Sequence, residues 1–159
     1  MMDERLNIER GAGHRRADPG RRGVIRRVIV PTVPDGVLSP NRSAKYGFHA
    51  KRRARAELQR AAWNPYLEAR EENPLEGDLR VTARILWPPG ARKKDLDNLG
   101  AMLKGCWDGF TDAAFWVDDR QMVALTVTQD RLDKAGRVSY PSGCVVVDVE
   151  QVSDDGEGR

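Results

Sequence analysis

At 159 residues with 40% apolar side chains, the chain can fill one hydrophobic core of ordinary size and needs no second domain. It holds no apolar run near the roughly 18 residues of a membrane span and no apolar signal-peptide core, which predicts a soluble, cytoplasmic protein without membrane contact. The net charge of +3 hides an asymmetry: residues 1–60 carry fifteen Lys/Arg against six Asp/Glu, and residues 61–159 carry twelve against eighteen. Such a division suits a protein that grips a polyanion with one surface and sets metal-binding carboxylates against it with another, although a solvated basic tail gives the same totals. Cys106 and Cys144 lie far apart and outside any CxxC or Cys/His spacing, so they read as reduced, partly buried apolar residues.

Residues 1–22 mix Arg, Gly and Asp without apolar periodicity and are expected to be a flexible basic segment; the paired arginines Arg15-Arg16 and Arg21-Arg22 suit phosphates. The β-branched run Val24–Val33 predicts a first strand, stopped by Pro31 and Pro34 because proline cannot donate to a sheet ladder. A turn-rich loop follows through Ser39-Pro40-Asn41-Arg42. From His49 to Glu72 the spacing of Ala54, Leu58, Ala61, Ala62 and Leu67 predicts the longest helix, kinked or split at Pro65. Its first turns hold Lys51, Arg52, Arg53 and Arg55, cations that a helix N-terminus mildly disfavours and that therefore point to phosphate. His14 and His49 have no metal-like partner. Strict alternation of Leu79, Val81, Ala83, Ile85 and Trp87 predicts a half-buried second strand. Third and fourth strands are expected over Gln121–Gln129 and Gly143–Val149, joined by a loop with Gly136 and Pro141, before an acidic, disordered tail at 153–159.

The chemistry concentrates between Lys93 and Gln121. Lys93 and Lys94 run into Asp95-Leu96-Asp97-Asn98, and a second acidic pair, Asp118-Asp119, lies downstream. Clustered carboxylates repel one another unless a proton or cation neutralises them, and hard oxygen donors point to Mg²⁺. A calcium-binding EF-hand loop is excluded, since Leu99 and Cys106 occupy its fifth and twelfth positions. Leu99, Met102, Leu103, Cys106, Trp107 and Phe110 predict one helix with a single buried stripe, capped by Asp97 or Asn98. A cap explains one acid there and leaves Asp95 without a role. At roughly 100° per residue, Asp97 and Lys104 share a face about 10 Å apart along the axis. Asp118 and Asp119, adjacent at a strand entrance, should point to opposite faces, so one of them joins the site. Trp116 is expected to pack in the core rather than stack on bases.

These residues resemble the RusA-type Holliday junction resolvases of bacteria and their phages: the basic run before Asp95-Leu96-Asp97-Asn98-Leu99, then Lys104, then Ala114-Phe115-Trp116-Val117-Asp118-Asp119-Arg120-Gln121, with Ser39-Pro40-Asn41-Arg42 as the N-terminal loop. The likeness runs over residues 24–150, so a nuclease domain is expected over 23–152. It implies an α+β fold, a single domain with a mixed sheet of about four strands packed against two main helices. It also implies a homodimeric endodeoxyribonuclease that uses Mg²⁺, with Mn²⁺ able to substitute, to nick two strands of a four-way DNA junction in recombination, repair or phage DNA processing. Asp95, Asp97 and Asp119 would be the metal ligands, Asp118 a weaker one, and Lys104 the basic residue acting on phosphate. DNA would be held by Asn41, Arg42, Lys51, Arg52, Arg53, Arg55, Lys93 and Lys94. One departure stands out: Lys104 lies three residues farther from the DxDN motif than in the best-known members, while its spacing to Asp119 is kept. Two other readings remain open, a non-catalytic branched-DNA-binding protein and a broader metal-dependent nuclease acting on flaps or single strands.

Overall fold

The computed structural model describes residues 25–40, 47–68 and 74–152, with side chains throughout except at 65–68. The expected flexible segment 1–22, the 153–159 tail, His14, Asn41 and Arg42 lie outside the described residues. The fold is α+β: one mixed four-stranded sheet with helices, in a single domain. The elements are β1 (Ile25–Val30), α1 (Phe48–Glu68), β2 (Leu79–Trp87), α2 (Leu96–Met102), α3 (Lys104–Asp112), β3 (Met122–Arg131), α4 (Lys134–Ser139) and β4 (Cys144–Gln151).

The strand order is β1-β4-β2-β3. β4 pairs antiparallel with both β1 and β2, whereas β2 and β3 run parallel. A parallel pair cannot be closed by a tight turn, and the α2–α3 crossover supplies the connection. The alternation read in β2 holds, since Leu79, Val81, Ala83, Ile85 and Trp87 are all buried. Val28 and Val30 of β1 and Val145, Val147 and Val149 of β4 join them in one core with Leu58, Ala62 and the α2–α3 stripe. A smaller cluster of Leu86, Leu132, Cys144 and Val146, with Ile29 and Tyr140 against it, sits apart from this core. Each fully buried aliphatic or Phe side chain contributes about 1.5–3 kcal/mol, so the main cluster is where folding free energy concentrates.

Three expectations are corrected. The helix expected to run unbroken through Leu99–Phe110 is divided at Leu103, which sits at φ −83°, ψ −2° between α2 and α3. There the amide of Cys106 bonds the Leu103 carbonyl at 2.8 Å while that of Trp107 reaches it only at 3.4 Å, a tightened turn that interrupts the α-helical ladder. The whole predicted stripe is nevertheless buried. Second, α1 is not split at Pro65 but continues from Phe48 to Glu68; the remainder of the expected span lies outside the described residues. Third, the stretch read as a plain loop contains α4, capped by Asp133, whose carboxylate accepts from the Gly136 amide at 2.6 Å.

Helices α1 and α3 pack in parallel through two glycines. A Cβ on Gly105 would meet the Arg55 carbonyl oxygen and Leu58, and one on Gly109 would meet the Gln59 carbonyl oxygen and Ala62. Four residues along one helix match four along the other, so both helices begin at the same end of the contact. The α3 start lies against Arg55, seven residues into α1, so the N-terminus of α1 extends about 10 Å beyond that of α3.

Candidate metal and nucleic-acid site

Asp95 is the residue that enters α2, with extended backbone (φ −65°, ψ 131°), yet its side chain makes no capping hydrogen bond. The capping role expected of Asp97 or Asn98 therefore falls to neither: Asp97 lies in the first helical turn, exposed, and Asn98 is buried. Two carboxylates at a helix N-terminus are favoured by its dipole. The first of them is left with no capping duty.

The segment before Asp95 is fastened to β3. Gln129 Oε1 accepts from the Lys94 amide at 3.0 Å and from Trp87 Nε1 at 2.9 Å, and its Nε2 donates to the Lys94 carbonyl at 2.6 Å. The Lys94 ammonium stands 6.0 Å from the centre of the Trp87 ring, within cation–π range. Lys93 is exposed.

The second acidic pair sits on a 3₁₀ turn, Asp119–Gln121, rather than on the strand itself. Its two members do part, as expected, but the turn rather than strand alternation separates them. Asp118 enters the turn: its carboxylate accepts from the Arg120 amide at 2.8 Å and pairs with the Arg120 guanidinium at 2.8 Å. Those contacts, the guanidinium first, hold the Asp118 carboxyl well below the usual carboxylate range. Gln121 ties the turn down. Its Oε1 accepts from the amides of Val117 (2.8 Å) and Asp118 (2.9 Å), and its Nε2 donates to the carbonyls of Leu75 (3.0 Å) and Gly77 (2.9 Å).

Asp119 faces the other way and meets Lys104, Nζ to Oδ2 at 2.5 Å. The same ammonium reaches Asp108 Oδ1 at 3.0 Å, one turn further along α3. The hydrogen bonds to Asp119 and then Asp108 raise the Lys104 pKa, so it stays an ammonium across the neutral and mildly alkaline range. The Lys104–Asp119 contact agrees with aligning this lysine by its distance to the second acidic pair. Sequence reading passed over Asp108, for which the only signal was its i, i+4 spacing from Lys104.

Among the described residues no three His, Cys, Asp or Glu side chains are gathered as a metal cage. Asp119 is brought to Lys104, and Asp95 and Asp97 stand together at the start of α2. Arg52, Arg53 and Arg55 are exposed and Lys51 half-buried on the first turns of α1, and the Arg55 carbonyl lies against Gly105, next to Lys104. The basic helix start and the lysine thus belong to one end of the α1–α3 pair. Trp116 is core, as expected: 1% exposed, against Phe110 at 5.4 Å between ring centres, with its Nε1 donating to Thr111 Oγ1 at 2.7 Å.

The fold and site together define a small α+β domain with two carboxylates at the start of α2, a lysine anchored at the start of α3 and a cationic first stretch of α1. No protein-family model matches the chain. Over 50 residues it is 42% identical to the crossover junction endodeoxyribonuclease RusA of Escherichia coli strain K12, and equally so to the proteins of that name from Shigella sonnei strain Ss046 and Enterobacteria phage 82. That stretch is 31% of this chain and 39% of each of those relatives, so the chain matches well under half of their length.

Proposed function

We propose that this chain is a Mg²⁺-dependent, structure-selective endodeoxyribonuclease that, as a homodimer, resolves four-way DNA junctions by paired symmetric nicks in recombination, repair or phage DNA processing. The observation that carries the reading is Asp95, an N-terminal helix carboxylate with no capping bond, placed directly after two lysines. The partial likeness to junction endodeoxyribonucleases supports the same reading.

The donor set fits the ion. Mg²⁺ is commonly held by one or two carboxylates, with water and substrate phosphate completing its octahedron, and does not require an all-protein cage. Asp95 and Asp97 would hold it, with Asp119 as the third ligand and Asp118, committed to Arg120, as the weakest. Held there, Mg²⁺ would supply Lewis acidity toward a water and the attacked phosphate. Lys104, kept charged by Asp119 and Asp108, offers an ammonium to a phosphate oxygen as negative charge builds there. Lys51, Arg52, Arg53 and Arg55 hold flanking phosphates, and Lys93 and Lys94 the strand leading to Asp95. A twofold junction presents two equivalent phosphates, which a C₂ dimer matches.

The test is a synthetic four-way junction with Mg²⁺. Wild type should give symmetric nicks; Asp95→Asn and Asp119→Asn should lower the single-turnover rate by at least about 100-fold while junction affinity stays the same or rises. Unchanged cleavage in Asp95→Asn removes the metal-site assignment. A second reading, a non-catalytic branched-DNA-binding protein, is favoured by the Lys104–Asp119 pairing and the absence of a gathered cage among the described residues. Equal junction affinity in Mg²⁺ and EDTA, with no cleavage of junctions, flaps or single strands, would select it.

A further inference from the structure

We infer that Gln121 and Gln129 are positioning residues, two glutamine clamps, one in the turn leading into β3 and one within β3, that tie down the two acid-bearing loops and so set the cation affinity of the site; this rests on the metal-site reading above. Both loops are irregular chain, and irregular chain holds a carboxylate in place only if its backbone polar groups are tied down. Each loop is tied by one side-chain amide. Gln129 exchanges two hydrogen bonds with the Lys94 backbone, 3.0 Å and 2.6 Å, in the manner of a strand partner, and also receives the Trp87 indole N–H. Lys94 immediately precedes Asp95, so the clamp fixes the backbone from which that carboxylate projects. Gln121 makes four bonds: its oxygen takes the amides of Val117 and Asp118, and its nitrogen serves the Leu75 and Gly77 carbonyls. Asp119 is thus held between a clamped residue and the clamp itself.

The arrangement uses the amide in a way no other side chain of that length reproduces. Both loops need a donor and an acceptor presented together, and glutamine carries both on one planar group. Methionine offers neither, and glutamate keeps the acceptor but sets a carboxylate against the Lys94, Leu75 or Gly77 carbonyls. Gln121 closes the 3₁₀ turn that leads directly into β3, and Gln129 lies within the strand, eight residues further on. β3 and the turn that enters it thereby hold both halves of the acidic motif, although Asp95 and Asp119 lie on opposite sides of the α2–α3 crossover in sequence.

The consequence is a metal affinity that depends on groups that do not touch the metal. Partners that orient ligands typically change metal affinity by about 10–100-fold when removed. The experiment measures Mn²⁺ binding to the full chain without DNA, from the loss of the free-ion electron paramagnetic resonance signal, together with thermal melting. Gln121→Met and Gln129→Met should each weaken Mn²⁺ binding at least about tenfold. Asp148→Asn, which breaks the Arg27–Asp148 pair (2.7 Å) elsewhere on the sheet, should leave it unchanged even if melting falls. Should the methionine variants not fold, the isosteric Gln121→Glu and Gln129→Glu should show the same direction, since each retains the acceptor contacts and loses the donor ones. Folded variants that bind Mn²⁺ as wild type does would overturn the clamps, and junction cleavage by wild type would then leave the nuclease reading standing. Weakened Mn²⁺ binding in the variants of a protein that cleaves no branched DNA would uphold the clamps and remove the nuclease. A wild type that takes up no Mn²⁺ removes both.

Discussion

Asp118 and Asp119 are neighbours with different fates. The first spends its carboxylate on the Arg120 amide and guanidinium, and the second turns to Lys104. An exposed ion pair of this kind contributes little to stability, so its value is directional: pairing with Arg120 turns Asp118 away and leaves Asp119 as the carboxylate that faces the lysine. The two thiols behave differently again. Both are free and buried, and burial raises Cys144 to about 11 and Cys106 higher still, from a common starting value of 9.0. Above pH 9 the unfolded chain therefore ionises both thiols while the folded chain keeps them protonated. The folded state then binds more protons, and stability must fall as pH rises, by about 1.4 kcal/mol per pH unit for each thiol until Cys144 itself ionises. Urea melts between pH 8 and 10.5 should show this slope, and the Cys106→Ala/Cys144→Ala chain should lose it whatever its starting stability. Neither thiol should react with a disulfide reagent at pH 8 without unfolding.

At the scale of elements, the α1–α3 contact depends on the absence of two side chains. A Cβ at position 109 would lie 2.5 Å from the Gln59 carbonyl oxygen, a backbone atom that cannot step aside without moving α1. Overpacking of this kind costs about 1–3 kcal/mol, and the roughly 1 kcal/mol that alanine gains over glycine in a helix offsets only part of it. Gly109→Ala should therefore lower the melting temperature. At Gly105 the nearest approach is 3.0 Å, and Gly105→Ala should lose less, with the two effects near balance. The Gly105-x-x-x-Gly109 spacing was visible before the fold was known, but its meaning needs the partner: small residues four apart matter only where another backbone comes close. The division of the central helix at Leu103 was invisible for a related reason. Both halves bury the same stripe, so the apolar period passes through the break without a sign of it.

Across the whole molecule, the charge asymmetry acquires a place. The cations of the first α1 turns stand at the same end of the α1–α3 pair as Lys104, so that end gathers fixed positive charge. If Arg52, Arg53 and Arg55 each neutralise a junction phosphate, their joint replacement by alanine should weaken junction binding and reduce the slope of log affinity against log salt. The reduction should be about two to three, at roughly 0.7–0.9 per phosphate contact. Because all three side chains are exposed, melting should be nearly unchanged; an unaltered salt slope would remove α1 from the DNA path. Among the described residues no helix is long and apolar enough to cross a membrane, in keeping with the apolar runs of the sequence.

Local periodicity determined a good part of this protein. The alternation of β2, the buried stripe from Leu99 to Phe110, the burial of both cysteines and the packing of Trp116 follow from residue spacing and size, because burial on one face leaves a period in the chain. The acidic residues, too, could be picked out, since carboxylates close in sequence repel and ask for a reason. What only the tertiary structure decided are relations between segments that carry no period. These are the parallel pairing of β2 with β3, the choice of Asp119 over Asp118 as the partner of Lys104, and the clamping of two loops by Gln121 and Gln129. Each depends on a hydrogen bond or ion pair whose partners are set by the path of the chain, and a side-chain amide looks the same in sequence whether it faces water or holds a backbone thirty-five or forty-six residues away.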